Sequence, residues 1–492
     1  MTITKHCIYA LIALALAACS TRPHDVSEVA ATPDIYPDYK DVEVPATIAP
    51  LNFCMADEDV ERIDVTISGS NGGELNVNSE YADFDVDEWH ELLAKNIGES
   101  LTVSVCAMKQ GKWTRYADFI IHVSSDTMDG WGVTYRLVAP GYEIYGKMGI
   151  YQRSLSDFNE KPLIVTTQTP KTCVNCHTTN KGDISQSVMH SRGAHGATLM
   201  RTNGNLECLA AKNPQLGSTM VYPYWHPEGK YCAFSTNDTQ QKFHSKAEKL
   251  IEVFDTKSDI ALYNTATHEI MPILADTTMT ENCPAFSADG TRLYYLSAPI
   301  VSMPANYDKM RYSLYVVDFN PSTGTVGQTP TAIIHADSVG RSISWPRPSY
   351  DGRYIMYTSA DYGYFTIWHP EADLWLYDLQ TGEHRALDAV NSDRADSYHA
   401  WSTNSRWFLF TSRRDDDLYT RLYFAHIDEQ GNVSKPFMLP QQNPHDDNVM
   451  RLYSYNTPDF IGEPYDISSN EIFDILKDDK RSETIYKYYI NH

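Results

Sequence analysis

The sequence predicts an all-β protein whose larger part is a β-propeller of six blades, with seven as the alternative count. Aromatic residues make up 12% of the chain and include 33 tyrosines, a composition typical of strands. A segment of similar pattern occurs four times in the second half, at intervals of about 50 to 60 residues. Repeats of that length, each with several short strands, are typical of propeller blades.

The N-terminus has the features of an export signal. Residues 1–18 contain Lys5 and then an apolar run that is too short to span a membrane in the mature protein. The letters LAAC at positions 16–19 resemble a bacterial lipobox, which implies that Cys19 is lipidated and anchors the protein to a membrane. No acidic residue follows Cys19 directly, and by resemblance to lipoprotein sorting signals we expect the periplasmic side of the outer membrane. The alternative is an ordinary cleaved signal with a chance cysteine.

Composition agrees with an exported body that does not bind nucleic acid. There are 40 Lys and Arg against 64 Asp and Glu, a net charge of −24, which disfavours a nucleic-acid partner. Of the nine cysteines, one lies in the signal, one in the lipobox and two in the motif discussed below. The odd remainder predicts at least one free thiol in an oxidising compartment. The five remaining cysteines are Cys54, Cys106, Cys208, Cys232 and Cys283. Their pairing stays open, and the first two either form a disulfide or are buried thiols.

Four regions follow the signal. Residues 19–45 are polar and proline-rich and are expected to be a flexible tether. Residues 46–130 alternate in the manner of strands and predict a small β-sandwich, with one helix that begins after Asp85. The propeller is expected to occupy 131–465, and 466–492 to form a short helical or extended tail.

The repeats themselves specify the kind of propeller. Each has a polar turn, then a β-rich run that ends in a small hydroxyl residue: WHPEGKYCAFST, FSADGTRLYYLS, PSYDGRYIMYTS and WSTNSRWFLFTS. Residues 225–431 resemble the TolB-like (WD40-like) propeller repeat P-x-W-S-P-D-G-K-x-I-A-F, although Ser405 replaces the turn glycine in the fourth unit. Residues 141–164 have the pattern of outer strands, and MRLYSYNTPDF near the C-terminus is expected to supply the missing strand that closes the ring.

The motif PKTCVNCHTTN contains two cysteines and an adjacent histidine: Cys173, Cys176 and His177. In an exported protein, C-x-x-C-H predicts covalent attachment of one haem c through two thioethers, with His177 as the proximal iron ligand. A zinc site would need further ligands, for which His190 and His195 stand nearby. A redox dithiol would be expected at a helix start, and no βαβ pattern is present.

The surroundings of the motif resemble a family of uncharacterised exported propeller lipoproteins with the pattern C-x-N-C-H-S-F and then F-H-x-R-G-x-x-G-G-T. The matching residues are Cys173, Asn175, Cys176, His177, His190, Arg192, Gly193, Gly196 and Thr198. This sequence departs from the pattern at Thr178-Thr179, Met189 and Ala197. The resemblance implies that His190 is the sixth iron ligand, with Met189 as the alternative, and that Arg192 pairs with a haem propionate.

We therefore expect a short haem insert at 170–196, placed at the entry to a blade. The predicted function is that of a membrane-anchored monohaem cytochrome c that transfers electrons to a redox partner docked on the propeller. The alternative is a TolB-like envelope scaffold that binds another protein and in which haem is structural or sensory. An enzyme with its own substrate is the less favoured prediction; the G-x-S-x-G elbow of propeller-linked hydrolases is absent from the sequence.

Overall fold

The computed structural model describes residues 22–139, 147–169, 171–210, 212–216, 219–243, 249, 251–478 and 480–488. The predicted signal peptide and Cys19 lie outside these residues, as do parts of the predicted tether, outer strands and tail. The described chain forms two compact units. One comprises the residues up to Ser125 together with Pro440–Val449, and the other comprises Asp126–Leu439 and the residues from Met450 onward.

The first unit is a seven-stranded sheet with the order β1-β8-β7-β5-β6, in which β9 pairs with both β7 and β3; β2 and β4 form a separate two-stranded sheet. Phe53, beside the smaller sheet, meets Phe119 of the larger one edge-on, with ring centroids 6.2 Å apart. The elements are β1 (Ser27–Glu28), β2 (Ile35–Tyr36), β3 (Val42–Val44), β4 (Cys54–Met55), β5 (Arg62–Gly69), β6 (Glu74–Ser79), α1 (Val86–Lys95), β7 (Ser100–Lys109), β8 (Lys112–Arg115) and β9 (Phe119–Val123).

Two local features of this unit follow directly from the sequence. The Asp85 carboxylate accepts hydrogen bonds from the backbone of Asp87 and Glu88, so the helix predicted after Asp85 is confirmed. The segment Pro440–Val449, which contains a π-helical turn at His445–Val449, belongs to this unit although it lies 300 residues further along the chain. The side-chain amide of Asn52 donates to the backbone carbonyl of Gln442 at 2.9 Å.

The second unit is a six-bladed β-propeller, as predicted. Its strands in chain order are β10 (Gly132–Val138), β11 (Met148–Ser154) and β12 (Glu160–Val165) in the first blade; β13 (Thr172–Asn180), β14 (Asp183–Gly193), β15 (Ala197–Thr202) and β16 (Asn205–Ala210) in the second; β17 (Thr219–Trp225), β18 (Tyr231–Phe243), β19 (Ile251–Asn264) and β20 (Glu269–Leu274) in the third; β21 (Met279–Phe286), β22 (Arg292–Pro299), β23 (Ser313–Asn320), β24 (Thr325–Val326) and β25 (Thr331–Ile334) in the fourth; β26 (Ser342–Pro348), β27 (Tyr354–Ala360), β28 (Asp373–Asp378) and β29 (His384–Ala386) in the fifth; and β30 (Asp396–Trp401), β31 (Trp407–Ser412), β32 (Arg421–His426) and β33 (Phe437–Met438) in the sixth.

The ring is closed by a strand from the C-terminal region. β34 (Ser454–Ile461) pairs with β10 and is the innermost strand of the first blade, so the predicted closing segment is confirmed. Downstream, α3 (Ser469–Lys477) begins with a capping box at Ser468, and β35 (Ile485–Tyr486) adds to β20. A short helix, α2 (Ala336–Val339), and 3-10 turns at Tyr307–Lys309 and Thr366–Trp368 lie between strands.

The innermost strand of every blade contains a β-bulge, in which two residues oppose one residue of the second strand. In five blades the opposed residue is a buried aromatic: Tyr135 opposite Thr457-Pro458, Phe234 opposite Tyr222-Pro223, Tyr295 opposite Cys283-Pro284, Tyr357 opposite Trp345-Pro346, and Phe410 opposite Tyr398-His399. In the second blade the bulge is Asn175-Cys176, and the opposed residue is His190.

Candidate functional site

The C-x-x-C-H motif lies on β13, the innermost strand of the second blade, next to the central channel. Its partner β14 carries Met189, His190 and Arg192. The stretch predicted as a haem insert at 170–196 is therefore not an addition to the blade, because most of it forms the two inner strands (Pro170 lies outside the described residues). The two outer strands of this blade are β15 and β16.

The register of β13 and β14 divides the predicted site residues between the two faces of the sheet. Cys173 pairs with Arg192, and the bulge places Cys176 opposite His190. Because paired residues share a face and successive strand residues alternate, these four side chains lie on one face, here called the thiol face. Val188 and Met200, also on this face, pack against Met220 of the third blade.

His177 lies on the opposite face. It pairs with Met189, which packs with Ile150 and Leu163 of the first blade. The structure thus brings His190 together with both thiols, and His177 together with Met189. It does not bring His177 and His190 to the same side of the sheet.

Both motif cysteines are buried unpaired thiols. The Cys176 Sγ accepts a hydrogen bond from the backbone N–H of Tyr222 at 3.4 Å, and the Arg136 Nη2 lies 3.9 Å from the Cys173 Sγ. Burial raises the pKa of Cys176, and the Tyr222 amide and the Arg192 guanidinium oppose that rise. Both thiols are therefore shielded from water, and a backbone amide and two guanidinium groups lie near them.

The two imidazoles are buried and uncharged, each with an Nε2 atom that makes no hydrogen bond. The His190 Nδ1 lies 2.9 Å from the Thr198 Oγ1, and burial lowers the pKa of His190 to about 3. The His177 Nδ1 lies 3.4 Å from the carbonyl oxygen of Asn175. Burial lowers the pKa of His177 to about 4, against the opposing effect of the Asn175 and Thr134 backbone. Neutral imidazoles with an unbonded nitrogen are the form that binds a metal ion.

Two cavities adjoin these strands, and they differ greatly in size. The cavity beside His177, which Trp345, Arg347 and Asp459 also line, has a volume of about 40 Å³. That volume is large enough for water molecules. The cleft beside Arg192, between the second and third blades, has a volume of about 510 Å³, which is within the usual range of ligand sites.

The thiols and the His190 imidazole supply donors of the kind that a c-type haem needs, whereas His177 does not share their face. Two thiols and an unbonded imidazole nitrogen share the thiol face, and the ligand-sized cleft adjoins the same face. The extended strand separates His177 from the thiols, because Cys176 and His177 point to opposite faces. Ligation of one iron by His177 beside both thioethers therefore requires the backbone to turn at the Asn175-Cys176 bulge.

Three residues of the site were not predicted from the sequence: Arg136, Thr198 as partner of His190, and Tyr222. They come from other strands or blades, and only the register places them here. One signal in the sequence could have identified His190 as unusual. The second strand of each other blade has an aromatic residue at one position, and alignment of the blades places His190 at that position.

The part of the chain that the structure describes bears on two further features, metal-ligand clusters and membrane-spanning helices. It contains no cluster of three or more His, Cys, Asp or Glu side chains able to hold a metal ion. Within the same residues, no helix is long and apolar enough to cross a membrane. None of the seven cysteines between Cys54 and Cys283 forms a disulfide, so Cys54 and Cys106 are unpaired.

No family model and no curated protein matches the chain. Among solved structures, it is similar to the periplasmic gluconolactonase PpgL of Pseudomonas aeruginosa, with 14% identity over 67% of this chain and 100% of that one, at a TM-score of 0.34. An oligogalacturonate lyase of Vibrio parahaemolyticus has 10% identity over 82% and 100% of the two chains, at a TM-score of 0.32. A prolyl endopeptidase has 11% identity at a TM-score of 0.33 over 64% of this chain, which spans only 51% of that enzyme. None of these likenesses bears on the activity of this chain.

Proposed function

We propose that this protein is a lipid-anchored, exported propeller that carries one haem c in its second blade and transfers electrons. One observation carries the proposal. The only blade without an aromatic opposite its inner bulge has there two thiols and an imidazole with an unbonded nitrogen, all on one face.

The physical argument concerns the stability of that blade. A buried polar atom without a partner costs about 1–3 kcal/mol, and the Nε2 atoms of His177 and His190 in the second blade are of this kind. The other five blades have an aromatic side chain at the position equivalent to His190. A ligand bound to the Nε2 of His190 would explain why this position holds a histidine instead of the aromatic residue of the other blades.

Each residue has a proposed role. Cys173 and Cys176 would attach the haem as thioethers, and His177 would be the proximal ligand by the logic of the motif. His190, on the thiol face, would be the sixth ligand, with Met189 as the alternative. This assignment requires the backbone to turn at the Asn175-Cys176 bulge, because His177 lies on the opposite face. When bound, haem supplies a one-electron redox couple. The protein buries the ligands and keeps both imidazoles neutral, so that no proton competes with iron.

The lipid anchor and the partner belong to the same proposal. Cys19 would hold the propeller at the periplasmic side of the outer membrane, where a redox protein or another envelope protein docks on it.

The test uses protein exported together with a cytochrome c maturation system. We expect a c-type pyridine haemochrome spectrum from wild type, none from Cys173→Ala/Cys176→Ala, and an unchanged spectrum from Cys208→Ala, the matched control on β16 of the same blade. A reversible one-electron titration of the wild type would support electron transfer. A wild type without covalent haem would contradict the proposal, and a haem that no redox partner reduces or oxidises would favour the scaffold alternative.

A further inference from the structure

The channel cavity, defined above by its lining of His177, Trp345, Arg347 and Asp459, has an excess of positive charge. The inner strands of all six blades contribute to its lining, so it lies on the axis of the propeller. Its permanently charged residues are Lys181 and Arg347 against Asp459. Two cations against one carboxylate, in a protein with a net charge of −24, favour an anionic occupant.

The single carboxylate of the lining is held by its own neighbours. The Asp459 Oδ2 accepts hydrogen bonds from the Thr178 hydroxyl at 2.8 Å and from the Thr179 backbone N–H at 3.2 Å. The Oδ1 accepts from the backbone N–H of the next residue at 3.0 Å. Within the described residues, neither Lys181 nor Arg347 forms an ion pair with this or another carboxylate. Both cations therefore lack an acidic partner.

Aromatic rings hold the Arg347 guanidinium in place. Its central carbon lies 4.0 Å from the ring centroid of Trp345 on the same strand and 5.2 Å from that of Tyr224 in the third blade. Its Nη1 donates to the Pro346 carbonyl oxygen at 3.2 Å, and its other N–H groups have no acceptor among the described residues. A planar fork of N–H groups matches the two oxygens of a carboxylate.

Two further polar groups of the lining are buried without a partner. Trp225 is 3% exposed and Thr457 is 8% exposed, and neither the indole Nε1 nor the Oγ1 makes a hydrogen bond. The other two indoles of the lining, Trp345 and Trp401, donate to backbone carbonyl oxygens. A buried donor without an acceptor is costly. Oxygen atoms of a bound ligand would remove that cost.

We propose that the channel cavity binds a small carboxylate, with the Arg347 fork as its main partner. The further donors are Lys181, Trp225 and Thr457. The volume of about 40 Å³ corresponds to about three water molecules, which suits an acid of the size of acetate. The rings around the fork keep water away from the ion pair and so strengthen its hydrogen bonds. The site uses neither haem nor His177, and it is independent of the proposed function.

The experiment is a calorimetric titration of the purified, exported protein with acetate near neutral pH and at constant ionic strength. We expect one saturable site for acetate and none for acetamide, which has nearly the same shape but no charge. Sulfate is titrated in parallel, because a fork that fits two coplanar oxygens should bind it more weakly. Sulfate bound as tightly as acetate would overturn the assignment to a carboxylate.

Two variants test the donors separately. Arg347→Gln should weaken acetate binding roughly 10- to 100-fold, because a charge-assisted pair is lost. Trp225→Phe keeps an aromatic ring and removes the indole N–H, and it should weaken acetate binding roughly 3- to 10-fold. Since that N–H has no protein partner, Trp225→Phe should not lower the Tm in the absence of acetate. It therefore tests the site even if Arg347→Gln does not fold.

Each variant has a matched control outside the cavity. Arg292→Gln removes a guanidinium from an exposed position on β22, and Trp375→Phe removes another unpaired indole N–H, on β28. Both should bind acetate as wild type does. A wild type that does not bind acetate, and so holds only water in the cavity, would overturn the proposal. Affinities of Arg347→Gln and Trp225→Phe equal to those of their controls would overturn it as well.

Discussion

Cys176 and His190 face each other across the two inner strands of the second blade, at the bulge where every other blade places an aromatic ring. The thiol accepts a hydrogen bond from the third blade, through the Tyr222 amide, and the imidazole is held by Thr198 of its own blade. The pair therefore places a thiol and an imidazole on the two innermost strands of the blade, next to the central channel.

Replacing His190 and Thr198 with apolar residues should stabilise the protein without haem. His190→Phe/Thr198→Val introduces the phenylalanine of the third and sixth blades and removes the hydrogen-bonded pair together, so that no polar partner is left alone. We expect a gain of about 1–3 kcal/mol in the free energy of unfolding of protein made without export, measured by urea denaturation. A loss of stability in the double variant would contradict the claim that His190 is retained for a ligand.

Because His399 is buried, it should lower the free energy of unfolding of the propeller in acid. It is fully buried, its Nε2 lies 2.9 Å from the Met356 carbonyl oxygen, and burial lowers its pKa to about 3. Because the pKa in the unfolded chain is higher, near 6.5, the unfolded state binds more protons, and stability is lost as pH falls below about 6.5. His399→Gln should reduce the slope of unfolding free energy against pH by about 1.4 kcal/mol per unit between pH 6 and 4. Equal slopes for variant and wild type would show that His399 is charged in the folded protein.

The imidazole of His369 lies between two carboxylates. Its Nε2 is 3.3 Å from Glu252 and its Nδ1 is 3.4 Å from Glu371, and all three groups are mostly buried. Burial lowers the pKa of His369, but the two carboxylates raise it by more, so it ends above its usual value. His369→Gln should cost about 3–5 kcal/mol at pH 6, because it removes the imidazolium beside the buried Glu252 carboxylate and leaves Glu371 with Lys249 as its charged partner.

The dependence of that cost on pH gives a second check. The stabilisation by charged His369 is complete below about pH 6.5 and is lost as pH rises through the raised pKa of the folded state. The difference between His369→Gln and wild type should therefore shrink in alkaline solution. His268→Gln is the control, since its ion pair with Glu207 is partly exposed and should be worth less than about 1 kcal/mol. A cost at pH 6 no larger than that of the control would be inconsistent with a buried imidazolium.

Cys19→Ser tests the predicted anchor. The variant should be exported but recovered in the soluble periplasmic fraction, because a serine cannot carry the lipid that holds the protein at the membrane. Wild type should fractionate with the outer membrane. Recovery of both proteins in the same fraction would mean that the sequence at positions 16–19 is an ordinary signal.

Much of the fold was predictable because propeller repeats carry their own turn chemistry. The glycine turns and the closing segment identified six blades, and Asp85 identified a helix start. The second blade was misassigned because TCVNCHTTN and DISQSVMHSRG lack the alternation of β-branched residues that identifies strands. In both strands, core residues such as Val174 and Val188 alternate with thiols, imidazoles, amides and hydroxyls rather than with a regular polar pattern.

The arrangement of the site could not be predicted, for a related reason. Whether His177 or His190 shares a face with the thiols depends on the bulge, and a bulge is a property of two paired strands rather than of either sequence. Contacts from Arg136 and Tyr222 depend in addition on the packing of neighbouring blades. The segment Pro440–Val449 joined the first unit for the same kind of long-range reason.

The most direct test of the central claim is the intact mass of the exported protein beside that of Cys173→Ala/Cys176→Ala. We expect the wild type to be heavier by the mass of two sulfur atoms and, in addition, by the mass of one haem, which is roughly 616 Da. A difference equal to the two sulfur atoms alone, in cells that mature a known cytochrome c, would contradict it.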